Sequence, residues 1–390
     1  MMYKIKLLNK IAPAGLELFD KEKYVIGTDV ENPDAILVRS ASMCDMELPV
    51  SLKAIARAGA GVNNIPVQQC AEKGIVVFNT PGANANAVKE LAIASLLLVS
   101  RDIPGGISWL KDLPADEALP KAVEKGKSAF AGPELMGKTL GVFGLGAIGS
   151  MVANTAVSLG MEVYGHDPYI TVENAWMLSR SVKQAKHSGV IFENCDYIAI
   201  HVPSTPETKG FINEEAISLM KPGVRIINLS RADLVDNKAI AAGLDTGKVA
   251  RYLTDFPNSE VMRMKNTVVL PHLGASTPES EDNCAVMAVN QLIDYLENGN
   301  IINSVNFPSV SNPKGGDESV CVFHQNIPNI LAQVSSALSA QGLNIENLSS
   351  RSSKDVAYSV FEIVGKCPKP VIEQLCKIDG IIRVNLINNR

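Results

Sequence analysis

Between Thr139 and Gly149 the chain passes from a five-residue apolar run, Thr139-Leu-Gly-Val-Phe143, into Gly144-Leu-Gly-Ala-Ile-Gly149 and then into a helical pattern. Few folds accommodate that succession. The first glycine of a GxGxxG turn allows a sharp bend, the second lets the backbone approach a pyrophosphate, and the third permits close packing of helix on strand. The helix that follows presents free N–H groups and a partial positive charge to the phosphates. GxGxxG by itself is a weak signal, and its surroundings supply the specificity. At the end of the next strand pattern stands Asp167, whose carboxylate suits the hydroxyls of a ribose and would repel a 2'-phosphate. Gly144, Gly146, Gly149 and Asp167 are therefore candidate dinucleotide contacts, with NAD favoured over NADP. His166 beside Asp167 reads as a strand-end residue.

A parallel strand-helix series extends from this turn. Strand patterns at 139–143, 162–165, 197–201, 224–229 and 267–270 are separated by helical stretches, which implies a doubly wound α/β sheet of the Rossmann type. A smaller α/β unit precedes it, with strands at 35–40 and 75–78 and a helix expected at 52–58. Residues 102–137 read as loop and broken helix. Residues 278–296 form one long amphipathic helix that returns the chain to the first unit, making that unit discontinuous and flavodoxin-like. A polar Pro/Gly stretch follows, and then a βαββαβ order, which is the ferredoxin-like plan. The expected domains are 1–91 with 286–306, 92–285, a linker at 307–317 able to transmit domain motion, and 318–390.

With 390 residues the chain can bury two or three cores. A formal charge of −5 argues against a general nucleic-acid binder. No apolar run reaches the roughly 18 residues that span a bilayer; the longest, at 91–99, is followed by Arg101 and Asp102. The first nine residues lack a signal-peptide pattern. Seven scattered cysteines without a CxxC pair read as reduced thiols, with no metal site and a cytoplasmic location.

Reducing a ketone by hydride needs a proton donor at the developing alkoxide and a cation to hold a carboxylate and polarise the carbonyl. Among five histidines, His272 in Leu270-Pro-His-Leu-Gly-Ala-Ser276 directly follows an apolar strand, where open α/β sheets bind ligands. Arg231, in Ile227-Asn-Leu-Ser-Arg-Ala232, also lies just past a strand, and Glu260 follows a strand end near Asp255.

The series GxGxxG, Asp167, His201-Val-Pro, Asn228-Leu-Ser-Arg231, Val235-Asp236, Thr254-Asp-Phe-Pro257 and Pro271-His-Leu-Gly-Ala-Ser-Thr277 resembles the D-2-hydroxyacid dehydrogenases in order and spacing. The resemblance implies that Arg231 orients carboxylate and carbonyl, that His272 transfers the proton, and that Glu260 holds the imidazole and raises its pKa. Asp255 is the neighbouring alternative to Glu260. The family's Arg-Gly is Arg231-Ala232 here, which a backbone outside the left-handed region would tolerate. By the same resemblance Ala147 and Ile148 lie under the pyrophosphate, Asp255 binds the nicotinamide amide, and Thr80, Val202, Leu229, Ser230, Gly274 and Ala275 lie near the cofactor.

On the substrate side, Arg39-Ser40 ends a strand, and Ala58-Gly-Ala-Gly-Val-Asn63 is a turn whose amides can nest a carboxylate through Ala60 and Gly61. With Pro81-Gly-Ala-Asn84 these segments resemble the phosphoglycerate dehydrogenases within that family. The resemblance implies that Arg39 holds the phosphate of 3-phosphoglycerate and that Asn84 lies near the carboxylate. Residues 318–390 resemble the ACT regulatory domain through His324-Gln-Asn326, Pro328 and Asn344. That resemblance implies L-serine as effector, bound by His324, Asn326 and Asn344 across paired tails of a homodimer or homotetramer. Oxidation of the phosphorylated acid in serine biosynthesis is thus the expected activity. A glycerate or hydroxypyruvate dehydrogenase, and a dinucleotide-sensing corepressor on the same fold, are the alternatives.

Overall fold

The computed structural model describes residues 2–312 and 314–389. The chain forms two compact units, Met1–Asn84 with Pro278–Arg390, and Ala85–Thr277. The divisions fall where two long helices begin, Ala85–Ser100 and Pro278–Asn298. Each helix goes whole to one unit, since a helix is a rigid rod. The boundaries expected at 91/92 and 285/286 cut through both helices, and residues 318–390 do not stand apart as a third unit.

In the first unit β1 (Tyr3–Leu7), β2 (Tyr24–Gly27), β3 (Ala35–Val38), β4 (Ala54–Arg57) and β5 (Val76–Phe78) form a parallel sheet in the order β2-β1-β3-β4-β5. This is the flavodoxin-like order. β4 corrects the helix expected at 52–58. Its Ala, Lys and Arg content favours a helix locally, but Ala54, Ile55 and Ala56 are fully buried between β3 and β5. Pairing on both edges overrides local propensity.

The second unit carries β6 (Thr139–Phe143), β7 (Glu162–His166), β8 (Val182–Gln184), β9 (Tyr197–Ile200), β10 (Val224–Asn228), β11 (Val249–Thr254) and β12 (Thr267–Val269), all parallel, in the order β12-β11-β10-β9-β6-β7-β8. The order reverses between β6 and β9, which opens a crevice at their carboxyl ends. β8 has too little apolar pattern to be read from sequence. β11 was legible only by its end. Residues 102–137 hold broken helix, Ile103–Lys111 and Leu119–Gly126, as expected.

The C-terminal segment adds β13 (Glu318–Gln325), β14 (Asn344–Ser353), β15 (Val356–Val364) and β16 (Ile381–Asn388), antiparallel in the order β14-β15-β13-β16. With its two helices this is the expected ferredoxin-like arrangement. One face packs Val320, Val322, Phe361 and Ile363 against the helices Ile330–Ser339 and Lys369–Leu375. The other face does not meet solvent. Cys321, Phe323, Tyr358 and Val360 join Tyr295, Phe307 and Ile5 in the core of the first unit. Tyr358 donates a buried 2.8 Å hydrogen bond to the Gly299 carbonyl, and Arg383 donates to the carbonyls of Leu52 and Val50. The stretch read as a linker takes part: Phe307 packs edge-on against Phe323 at 4.8 Å, Val310 bridges Ile301, and Asn312 is buried. The sheet is docked to the first unit, and the segment before it is no free hinge. Continuous burial along Val320–His324 and Ala357–Ile363 is the sign of a sheet covered on both faces.

Among the described residues no single helix is long and apolar enough to cross a membrane. All seven cysteines are free thiols, five of them buried.

Candidate active site

At the carboxyl end of β6 the three glycines divide their work as the turn geometry requires. Gly144 has φ +85°, and a side chain there would collide with the His201 carbonyl. Gly146 caps the helix Ala147–Ser158 with extended backbone, and a Cβ on it would meet nothing within 4 Å. That open cradle lies in front of the first helical N–H groups, where a pyrophosphate binds. Gly149 packs so closely that a Cβ would strike the carbonyl oxygen of Gly144. Asp167, at the end of β7, accepts 2.8 Å hydrogen bonds from the Leu145 and Tyr169 amides, which hold the carboxylate beside the turn. A cavity of about 260 Å³ lined by Asp167, Pro168, Ile170, Leu178 and Ala185 adjoins it. The dimensions and the carboxylate suit an adenosine.

The ends of β10, β11 and β12 bring a second group together. Asn228 is fully buried; its Nδ2 donates to the Arg231 carbonyl at 2.8 Å and its Oδ1 accepts from the Ser230 amide at 3.1 Å. Ser230 Oγ donates to the Ile200 carbonyl at 2.7 Å. These bonds set Arg231 in extended backbone, with Ala232 opening a right-handed turn, so alanine is tolerated after the arginine. The Arg231 side chain is exposed, and Nη1 donates to the Ser230 carbonyl at 2.6 Å.

His272 is exposed and holds φ +50°, a left-handed conformation in a residue with a side chain. Its amide donates to the carbonyls of Asp255 (3.1 Å) and Leu270 (3.0 Å), and its ring meets Phe256 edge-on at 5.2 Å. Asp255 is 1% exposed; Oδ2 accepts from the Gly274 amide at 3.2 Å, and Oδ1 has no partner among the described residues. Burial pushes its carboxyl pKa up, and the Gly274 N–H and the electrostatic influence of His272 and Arg231 offset part of that. An unpartnered buried acceptor there suits the amide of a nicotinamide.

Glu260 does not join this group. Its Oε2 accepts a 2.6 Å hydrogen bond from Asn237, and no bond to His272 exists among the described residues. Asn258 caps the short turn Val261–Arg263 and holds Glu260 at its start, over the helix Asn237–Asp245. Asp255 meets His272 through the backbone, its carbonyl accepting from the His272 amide. Leu229 and Gly274 are buried; Val202, Ser230, Ile148 and Ala275 are half-buried, and Ala147 is exposed.

His201 escaped the sequence reading, although its motif was visible. Neither ring nitrogen has a partner among the described residues, and burial alone pushes the imidazole pKa down to about 4. The ring is therefore neutral beside Gly149. Asn228 was missed as well; its signal is a polar residue ending an apolar strand.

In the first unit Asn9 Oδ1 accepts from the amides of Arg39, Ser40 and Ala41 at 3.1, 3.1 and 2.9 Å, which fixes the end of β3. The Arg39 guanidinium forms a 2.6 Å ion pair with Glu281. Asn79 Nδ2 donates to the Ala60 carbonyl at 2.6 Å, bracing the turn that holds Gly61. Thr80 is fully buried with Oγ1 unpartnered among the described residues, and Asn84 is half-buried.

The three effector candidates are not gathered within one chain. His324 is buried, its Nδ1 2.7 Å from the Gln325 carbonyl and its Nε2 2.9 Å from Ser359 Oγ. Asn326 Nδ2 donates to the Lys354 carbonyl at 3.0 Å. Along β15, His324 pairs with Ala357 but Asn344 with Val364. Those positions are seven steps apart along the strand, about 23 Å at a rise of about 3.3 Å each.

Residues 93–274 match the family model for the D-isomer specific 2-hydroxyacid dehydrogenase, NAD binding domain. The chain is 33% identical over 343 residues to D-3-phosphoglycerate dehydrogenase of Escherichia coli K12, covering 84% of this chain and 79% of that protein. It is 34% identical over 316 residues to D-3-phosphoglycerate dehydrogenase of Synechocystis, covering 79% of this chain but only 54% of the relative's length. Among solved structures, NAD+-bound 3-phosphoglycerate dehydrogenase of Entamoeba histolytica aligns with a TM-score of 0.62 at 29% identity, over 78% of this chain and 99% of that one.

Proposed function

This chain belongs to the D-isomer-specific 2-hydroxyacid dehydrogenase family, and from that we propose that it oxidises D-3-phosphoglycerate to 3-phosphooxypyruvate with NAD+, the first step of L-serine biosynthesis, in the cytoplasm. The observation that carries the chemistry is that Arg231, buried Asp255 and His272 follow the carboxyl ends of the adjacent strands β10, β11 and β12, with the His272 amide on the Asp255 carbonyl. When bound, NAD+ accepts the hydride from C2. His272 takes the proton of the C2 hydroxyl as it becomes a ketone, and Asp255 stabilises the charge the imidazole gains. Arg231 holds the carboxylate and the polarised oxygen. Asn228 keeps Arg231 in place, and Arg39 holds the phosphate. The names of the relatives support this choice of substrate.

Steady-state kinetics on D-3-phosphoglycerate and D-glycerate test it. Arg39→Ala is expected to raise KM for the phosphorylated acid about tenfold or more, as loss of a charge-assisted contact predicts, and to alter KM for D-glycerate little. Equal losses on both would mean that Arg39 serves only the fold. The Arg39–Glu281 pair favours a second reading, a dehydrogenase of unphosphorylated glycerate or hydroxypyruvate. A wild-type preference for D-glycerate would decide for it.

The C-terminal sheet is an ACT-type regulatory module in this reading, and L-serine its effector. β14 is an exposed edge strand, and such edges are commonly covered by a partner. A second copy in a homodimer or homotetramer would bring Asn344 of one chain towards His324 and Asn326 of another. Serine inhibits only if it binds the inactive arrangement more tightly. Calorimetry on the full-length protein is expected to give saturable heat with L-serine, together with loss of turnover. No heat and no loss across a wide concentration range would leave the segment as an assembly module.

A further inference from the structure

Arg39 is the cation that the proposed reaction assigns to a phosphate, yet its guanidinium is already engaged. Glu281 Oε1 lies 2.6 Å from Arg39 Nη2, and both side chains are about two-fifths exposed, at 41% and 42%. The arginine's backbone is pinned by Asn9, and Asn64 donates to the neighbouring Ala41 carbonyl at 2.7 Å. Only the side chain is left to move. β3 and β4 end side by side, with Val38 paired to Arg57, so the carboxyl end of these strands carries two arginines and the carboxylate set against one of them.

Glu281 has somewhere else to go. It lies in the first turn of the helix Pro278–Asn298, where the free N–H groups favour a negative side chain. Released from Arg39, the carboxylate returns to water at a helix end that stabilises it. The two partners can therefore separate at low cost. A phosphate, with nearly twice the charge and three acceptor oxygens, competes well for the guanidinium. A neutral hydroxymethyl group at the same end of a substrate does not compete.

We propose that Glu281 is a built-in competitor for Arg39, displaced by a phosphorylated substrate and left in place by an unphosphorylated one, so that it tunes both the affinity for the phosphorylated acid and the discrimination between the two. The proposal rests on the reading that Arg39 takes the substrate phosphate. A cation kept paired until the right anion arrives also resists occupation by weaker anions, carboxylates among them.

The test is steady-state kinetics of the wild type, Glu281→Gln, Glu281→Ala, Arg39→Ala and the Arg39→Ala/Glu281→Gln double variant, with inorganic phosphate as a competitive inhibitor. Removing the competing charge is expected to lower KM for D-3-phosphoglycerate and the inhibition constant of phosphate by about two- to fivefold, the range of a half-exposed ion pair. The change falls on KM, KM for D-glycerate stays within about 1.5-fold, and in the Arg39→Ala background the effect vanishes. An unchanged or higher KM in both Glu281 variants, or an equal fall without Arg39, overturns the inference. A wild type that prefers D-glycerate overturns the functional reading itself, so the two failures are distinguishable.

Discussion

Replacing His272 by alanine is expected to cut kcat by about 10²–10⁴-fold, the usual contribution of a positioned acid-base group. Affinity for NADH should stay near the wild-type value. The imidazole is exposed at the carboxyl end of β12, while the dinucleotide turn is built from β6 and its helix. His272 also holds a left-handed backbone, which costs of order 1–3 kcal/mol and persists only where surroundings impose it. Here the Asp255 and Leu270 carbonyls fix the His272 amide, and Phe256 confines the ring. Alanine at the same φ keeps that strain, so a loss of rate reports the imidazole and not a relaxed loop. NADH binding followed by fluorescence, with single-turnover oxidation, separates affinity from chemistry. Turnover within a few-fold of wild type while the chemical step limits would remove His272 from the mechanism.

A pair of glycine variants should fail in opposite ways. A Cβ on Gly149 strikes the Gly144 carbonyl oxygen and lies 3.4 Å from the His201 Cβ, and backbone cannot yield as a side chain would. Gly149→Ala must push the helix Ala147–Ser158 off β6, at about 1–3 kcal/mol for overpacking. It should lower the melting temperature by several degrees and weaken NADH by about 10- to 100-fold. Gly146→Ala meets no protein atom within 4 Å, so stability should hold while the methyl fills the cradle and NADH binding falls at least as far. Thermal melts beside NADH titrations separate the two. Wild-type NADH affinity in Gly146→Ala would show that the pyrophosphate does not pass over that residue.

Much of this protein was legible in its sequence because local pattern carries it. A strand, three spaced glycines and a helix make the dinucleotide turn with little choice, since only glycine meets φ +85° at residue 144 and the close contact at 149. The βαββαβ run yields the ferredoxin-like strand order for a similar reason: short connections leave few alternatives. Arg231 and His272 could be placed because each directly follows an apolar strand of a parallel sheet, and such ends face the ligand.

Tertiary structure decided the rest. Residues 54–57 carry helix-forming side chains, and only pairing with β3 and β5 makes them a strand. The C-terminal sheet docks on the first unit through a face that strand periodicity shows as apolar but cannot assign to a neighbour. Glu260 and Asp255 are both carboxylates just beyond β11; Asp255 is buried and accepts from the Gly274 amide, while Glu260 accepts from Asn237. Arg39 and Glu281 are 242 residues apart, and His324 and Asn344 only 20, yet the distant pair touches and the near pair stands at opposite ends of β15. Sequence periodicity determines which face of an element is buried. What lies against that face, and which charge meets which, follows from long-range pairing that no local pattern encodes.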